Sequence, residues 1–260
     1  GGSGFLNKVF AEAQFVNGIH VSAVWTSQAE RMQCQLKELM VGSYEELLGK
    51  VDAVYIRSLP ELHYEQAKKA LSMGKSVLCE APLTLNETET LELFSIAEEN
   101  HGILMEAIKT AYSTAFSRLL LLVKGGKIGK IISVDATCTS LRKDATDWPG
   151  IYEWGPTALL PIFALLGTEF KSETILFQDQ KQVDIFAKME FIFKNAVASA
   201  SVGDGVKSEG ELIISGTKGY AYVPAPWWKT DYFELRYEDP SENRRYFYQL
   251  DGEGIRYELV

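Results

Sequence analysis

Between residues 5 and 106 the chain alternates helix and strand patterns, and this restricts the available folds more than any other feature. Residues 5–15 carry apolar side chains at helical spacing, and Val21, Ser22, Ala23, Val24 and Trp25 read as a short apolar strand. Residues 29–40 and 43–48 read as helices, the second with Ser43 as N-cap and Glu46 three positions on, the two halves of a capping box. Residues 52–56 form a buried-strand pattern, 61–72 a helix that stops at Gly74, and 76–79 the next strand. Asn86 caps a helix to about residue 100, and 102–106 is a further strand. Strands separated by crossover helices dictate a parallel sheet covered on both faces. The first domain is therefore expected to be Rossmann-like and to occupy residues 1–110.

Beyond residue 110 the pattern changes. A helix over 113–124 leads through a glycine-rich turn into a long strand over 130–141, and 155–166 reads as an apolar helix. Strand-like runs then follow at 173–177, 185–193, 196–202, 211–215, 220–223, 232–237 and 245–250. Alternating apolar and polar positions with short turns predict a large, mainly antiparallel sheet with helices on one face. The expected architecture is α/β, with residues 111–260 as a second domain for substrate and subunit contacts.

A formal net charge of -9 argues against a nucleic-acid backbone or an anionic membrane as the main partner, because both reward clustered Lys and Arg. The longest apolar stretches, such as Leu119 through Val123, are far too short for a bilayer span. Cys34, Cys79 and Cys138 are widely spaced, and three histidines make no zinc pattern. Free thiols in a reducing cytoplasm, with no metal centre, are the expectation.

Four landmarks carry chemistry. Gly2-Ser3-Gly4-Phe5-Leu6-Asn7 opens a helix, where glycines let a pyrophosphate approach the backbone and the helix start offers it N–H groups. Ser58, Leu59, Pro60 and His63 form a turn after the 52–56 strand. Glu80-Ala81-Pro82 ends the 76–79 strand ahead of the capped helix, and Gly216-Thr217-Lys218-Gly219 suggests a hairpin. In this order they resemble the Gfo/Idh/MocA family of sugar and polyol dehydrogenases, and Lys127-Ile128-Gly129 is a further shared joint.

That resemblance implies an NAD or NADP cofactor held by Gly2, Ser3, Gly4, Phe5, Leu6, Ser27, Ser58, Leu59, Pro60, His63, Glu80 and Ala81. It also implies a sugar- or polyol-like ligand and a homo-oligomer paired through the C-terminal sheet. Departures from the family fall where its chemistry lies. The family's catalytic lysine position is Ala81, its proton-relaying histidine falls on Thr157, a further acidic position is Leu160, and an arginine position is Ala111. Thr26, Ser27 and Gln28 supply no charged group to choose between NAD and NADP. A positioned acid or base is worth roughly 100- to 10,000-fold in rate, so its loss matters. Lys109, Tyr112, Glu153 and Thr157 are the candidates to replace it, and a non-catalytic dinucleotide-binding or sensing protein is the alternative. The resemblance leads to the expectation that the family's first strand and the end of its last helix lie outside the sequence given, and that residues are missing at the abrupt stretches 40–42 and 141–148.

Overall fold

The computed structural model describes residues 3–141, 149–180 and 183–260. Helix α1 (Ser3–Ala13) opens the described chain. The expected strand at 21–25 does not form: Val24 makes a single parallel bridge with Met40. Its N–H donates to Leu39 O at 2.9 Å, and Val41 N–H donates to Val24 O at 3.0 Å. The helix expected over 29–40 is broken into a 3-10 turn (Ala29–Arg31) and α2 (Cys34–Glu38). Helix α3 (Tyr44–Leu48) is capped by Ser43, which accepts from Glu46 N–H. The Glu46 carboxylate reaches Gly42 N–H at 2.9 Å, one residue further back than a capping box requires.

The first sheet is parallel, in the order β1 (Ala53–Ile56), β2 (Ser76–Glu80), β3 (Leu104–Ala107). A 3-10 turn (Pro60–Leu62) and α4 (His63–Ser72) cross from β1 to β2, and α5 (Glu87–Glu99) crosses from β2 to β3. Gly74, at φ 70°, ends α4 in the left-handed region that favours glycine. Val54, Ile56, Ala67, Leu71, Val77, Cys79, Leu93 and Leu104 pack into one core, as crossover helices on a parallel sheet require.

Helix α6 (Lys109–Tyr112) and α7 (Thr114–Lys124) lead into β4 (Ile131–Ser140). Helix α8 (Gly150–Leu166) begins earlier than the apolar run suggested and carries Pro156 and Pro161 in its body. Each proline removes a backbone donor, a local cost accepted where one helix face is buried against a sheet. Strands β5 (Ser172–Gln180), β6 (Val183–Ile192), β7 (Val197–Asp204), β8 (Leu212–Gly216), β9 (Gly219–Val223), β10 (Tyr232–Tyr237) and β11 (Arg244–Phe247) follow. They form one eight-stranded sheet with β4, in the order β11-β10-β9-β8-β4-β7-β6-β5. Only β4 and β7 run parallel within it.

In β6, Ala187, Met189 and Phe191 are buried, while Lys188, Glu190 and Ile192 are exposed. That alternation marks a sheet with one covered face. Helix α8 packs across β7, β4 and β6 on that face.

The glycines of the 216–219 landmark have a packing role. A Cβ on Gly216 would collide with the Ile128 carbonyl, and one on Gly219 would stand 2.5 Å from Arg236 O. The hairpin therefore lies against the Lys127–Ile128–Gly129 joint at backbone contact.

The chain divides into two compact units, Gly1–Lys109 with Ile255–Val260, and Thr110–Gly254. The last helix, α9 (Ile255–Glu258), thus belongs with the first unit, whereas the sequence placed all of 111–260 in the second. Gly2 and residues 142–148 lie outside the described residues.

Candidate cofactor site

The three parallel strands of the first unit set the site. Register pairs Ile56 with Cys79 and Glu80 with Ala107, so the segments following β1, β2 and β3 emerge side by side. They carry Arg57-Ser58-Leu59-Pro60, Ala81-Pro82 and Ile108-Lys109 respectively. The carboxyl edge of a parallel sheet is where α/β folds bind ligands.

Two of these loops are tied from below. His63 is 1% exposed, and its Nδ1 lies 2.8 Å from Pro82 O and its Nε2 3.3 Å from Ser58 O. Burial pulls its pKa below the usual value, the two carbonyls opposing. A neutral ring donates only once, and the shorter contact assigns the proton to Nδ1. His63 therefore holds the two loops together and shows no surface to a ligand, in contrast to the cofactor contact the sequence suggested. Leu83 N–H donates to Glu106 Oε1 at 2.9 Å, fixing the second loop to β3. The Ala81–Pro82 peptide bond is cis, and Ala81 is half-buried. Ser58 Oγ donates to Gln66 Oε1 at 2.8 Å, while Leu59 is 66% exposed.

A charged cluster surrounds Phe5 in the first turn of α1. The Arg57 guanidinium lies 4.0 Å from the centre of the Phe5 ring, and Lys109 Nζ lies 5.5 Å from it. The Tyr55 ring packs against the same phenylalanine at 6.0 Å. Arg57 Nη1 stands 3.5 Å from Glu80 Oε1. Tyr55 Oη contacts Glu80 Oε1 at 2.7 Å and Glu258 Oε1 at 2.9 Å. Burial, reinforced by the two carboxylates, pushes the Tyr55 pKa strongly up, so it stays a phenol.

Of the residues singled out from sequence, Phe5, Glu80 and Lys109 are thus drawn into one cluster. Gly4 is exposed, and a Cβ built on it would meet nothing within 4 Å. Leu6 packs away from this cluster, against the small core of Val24, Met32 and Leu36. Ser27 is exposed beyond the Val24 bridge. Glu153 (exposed) and Thr157 (half-buried) ride on α8 in the second unit, as does Leu160, which packs on that unit's core. Sequence reading missed Tyr55, Arg57 and Glu258. Tyr55 and Arg57 stood in the β1 run without distinction, and nothing local connects Glu258 with residues two hundred positions earlier.

The residues present suit a dinucleotide. The unfilled space over Gly4 and the helix start beside it could take a pyrophosphate, and Arg57 and Lys109 supply positive charge.

Residues 2–108 match the family described as "Oxidoreductase family, NAD-binding Rossmann fold" (GFO_IDH_MocA). The scyllo-inositol 2-dehydrogenase (NADP(+)) IolU of Bacillus subtilis (strain 168) is 35% identical over 125 residues, 45% of this chain and 38% of its own length. A trans-1,2-dihydrobenzene-1,2-diol dehydrogenase of Bos taurus is 28% identical over 236 residues, covering 84% of this chain and 70% of that protein. Matches to the first curated relatives span 38%, 26% and 43% of those proteins' lengths, so the chain aligns with less than half of each. Among solved structures, a 3-ketoreductase from Actinomadura kijaniata in complex with TDP-benzene and NADP superposes with a TM-score of 0.82. It is 19% identical, with 96% of this chain and 82% of that chain covered, and the likeness speaks for fold alone.

Proposed function

We propose that the protein, whose residues 2–108 match the Gfo/Idh/MocA oxidoreductase family, binds NAD or NADP at the carboxyl edge of its first sheet and oxidises or reduces a hydroxyl or carbonyl group on a sugar- or polyol-like ring. The observation that carries this reading is the open Gly4 at the start of α1 with Arg57 and Lys109 beside Phe5. Gly4, Phe5, Arg57, Ser58, Leu59 and Glu80 would hold the dinucleotide, with His63 fixing the loops beneath. The substrate class draws on the relatives, whose names specify an inositol, a dihydrobenzene diol and, for the solved structure, a 3-ketoreductase. The NADP in two of those names favours NADP over NAD.

A bound nicotinamide would supply the hydride chemistry. The chain must supply the companion proton transfer, and alanine at 81 has no group for it. Lys109, on the neighbouring strand end, is our first candidate, with Glu153 and Thr157 of α8 behind it. Alanine at 81 also favours a second reading, a dinucleotide-binding protein without turnover. Screening cyclic polyols and their ketones with NADP(H) and NAD(H) separates the two. Turnover at ordinary enzyme rates, roughly 1–1,000 per second, supports the first, and saturable cofactor binding without turnover supports the second.

Among the described residues no helix is long and apolar enough to cross a membrane. The free thiols of Cys34, Cys79 and Cys138 support placing the protein in a reducing cytoplasm.

A further inference from the structure

Tyr55 offers one phenolic proton to two carboxyl groups, with Oη 2.7 Å from Glu80 Oε1 and 2.9 Å from Glu258 Oε1. A phenol donates once. If both carboxyls were ionised, one of these contacts would set oxygen against oxygen with no hydrogen between them. A proton on one carboxyl removes the conflict. Glu80 Oε1 faces the Arg57 guanidinium at 3.5 Å. Glu258 is 5% exposed, and its Oε2 is buried without a hydrogen-bond partner among the described residues.

We propose that Glu258, Tyr55 and Glu80 hold one added proton as a carboxylic acid–phenol–carboxylate chain that couples the 255–260 segment to dinucleotide binding at the start of α1. The Glu258 O–H donates to Tyr55 Oη, and Tyr55 O–H donates to Glu80. Glu80 faces Arg57, whose guanidinium lies over Phe5 in the first turn of α1. The coupling to dinucleotide rests on the function proposed above; the shared proton does not. Raising the pH breaks only the Glu258 O–H bond, releasing the proton to solvent. That leaves a second buried negative charge against Tyr55 and close to Glu80, the carboxylate that faces Arg57, and adds negative charge where an anionic ligand would bind.

The groups facing Glu258 are Tyr55 from β1, Glu80 from β2, Lys109 after β3 and Glu12 from α1. On its own helix, Arg256 turns to Glu12 at 3.6 Å and to the Phe15 ring at 4.5 Å. Burial first, then the charges of Glu80 and Glu12, push Glu258 up to about 8, against the Tyr55 hydrogen bond and Lys109.

The test is carboxyl-carbon NMR of the chain labelled at glutamate, with NADPH titrations at pH 7 and pH 9, on wild type and Glu258→Gln. One glutamate signal should titrate near pH 8 in the wild type and vanish in the variant. The wild-type dissociation constant should rise about fivefold or more between the two pH values, and the variant's should change far less. Titration of Glu258 in the ordinary range of about 4–5 would overturn the shared proton, and an equal pH effect in the variant would overturn the coupling. If neither NADPH nor NADH binds at any pH, the proposed function and its coupling fall, and the NMR titration still decides the shared proton. Should Glu258→Gln not fold, Glu80→Gln serves instead. Removing that charge should move the Glu258 signal to lower pH, and no movement contradicts the chain.

Discussion

At position 81, where the sequence resemblance implies a lysine, a single methyl group stands half-buried between Glu80 and the cis-bonded Pro82. Neighbours on both sides are held, Glu80 by Tyr55 and Pro82 through its carbonyl to His63, so a side chain introduced at 81 enters a fixed frame. If proton transfer limits the reaction, Ala81→Lys should raise kcat/KM by roughly a hundredfold or more. Steady-state assays with NADPH and a cyclic ketone measure it, and no gain would mean that the proton moves through another group. Glu258 gives a different prediction. Its folded-state pKa of about 8 lies above the unfolded value near 4.3. Between those values the folded chain keeps a proton that the unfolded chain has lost, so stability falls with rising pH. The contribution is fully present below about pH 4, declines toward pH 8 and is level above it. Urea melts from pH 5 to 9 should show this decline in the wild type and not in Glu258→Gln. The motif around Ala81 could be read from sequence because it is contiguous. The Tyr55–Glu258 contact could not, because its partners are 203 positions apart.

Elements whose signals are local were legible. Ser43, Asn86 and Ser113 each cap the helix that follows them, and each bond closes within three residues. The apolar run at 21–25 misled because a strand is completed by its neighbours. Among the described residues, the backbone at 39–41 alone bridges to it, and one bridge results. The single helix expected over 29–40 ignored the extended backbone of Gln33, at φ -62° and ψ 150°, which caps α2 after the preceding 3-10 turn. The 216–219 hairpin was recognisable by its glycines, but their reason is the tertiary approach of the Ile128 carbonyl. Gly216→Ala should therefore destabilise the chain by about 1–3 kcal/mol, read from the shift in urea midpoint at unchanged slope. A variant as stable as wild type would show that this joint yields without strain.

On the scale of the whole molecule, fold class followed from the order of strand and helix patterns. The boundary did not, since residues 255–260 rejoin the first unit and no sequence period announces it. The uncovered sheet face carries a built polar network. Glu234, 6% exposed, accepts from Arg236 Nε at 2.6 Å, pairs with Arg245 Nε at 2.5 Å and lies near the Tyr220 and Tyr222 rings through Arg236. We propose that this face pairs subunits. Light scattering should give twice the chain mass or a higher multiple, and monomer at all concentrations would oppose it. The central claim, a dinucleotide site at the start of α1, is tested most directly by calorimetric titration of NADPH and NADH into wild type and Gly4→Val. Because nothing stands within 4 Å of a Cβ at Gly4, the variant should fold normally. The account predicts saturable binding to wild type, with Kd on the order of 1 μM to 1 mM, and at least about tenfold weaker binding to Gly4→Val. Equal binding to both proteins, or no saturation with either nucleotide, would contradict it.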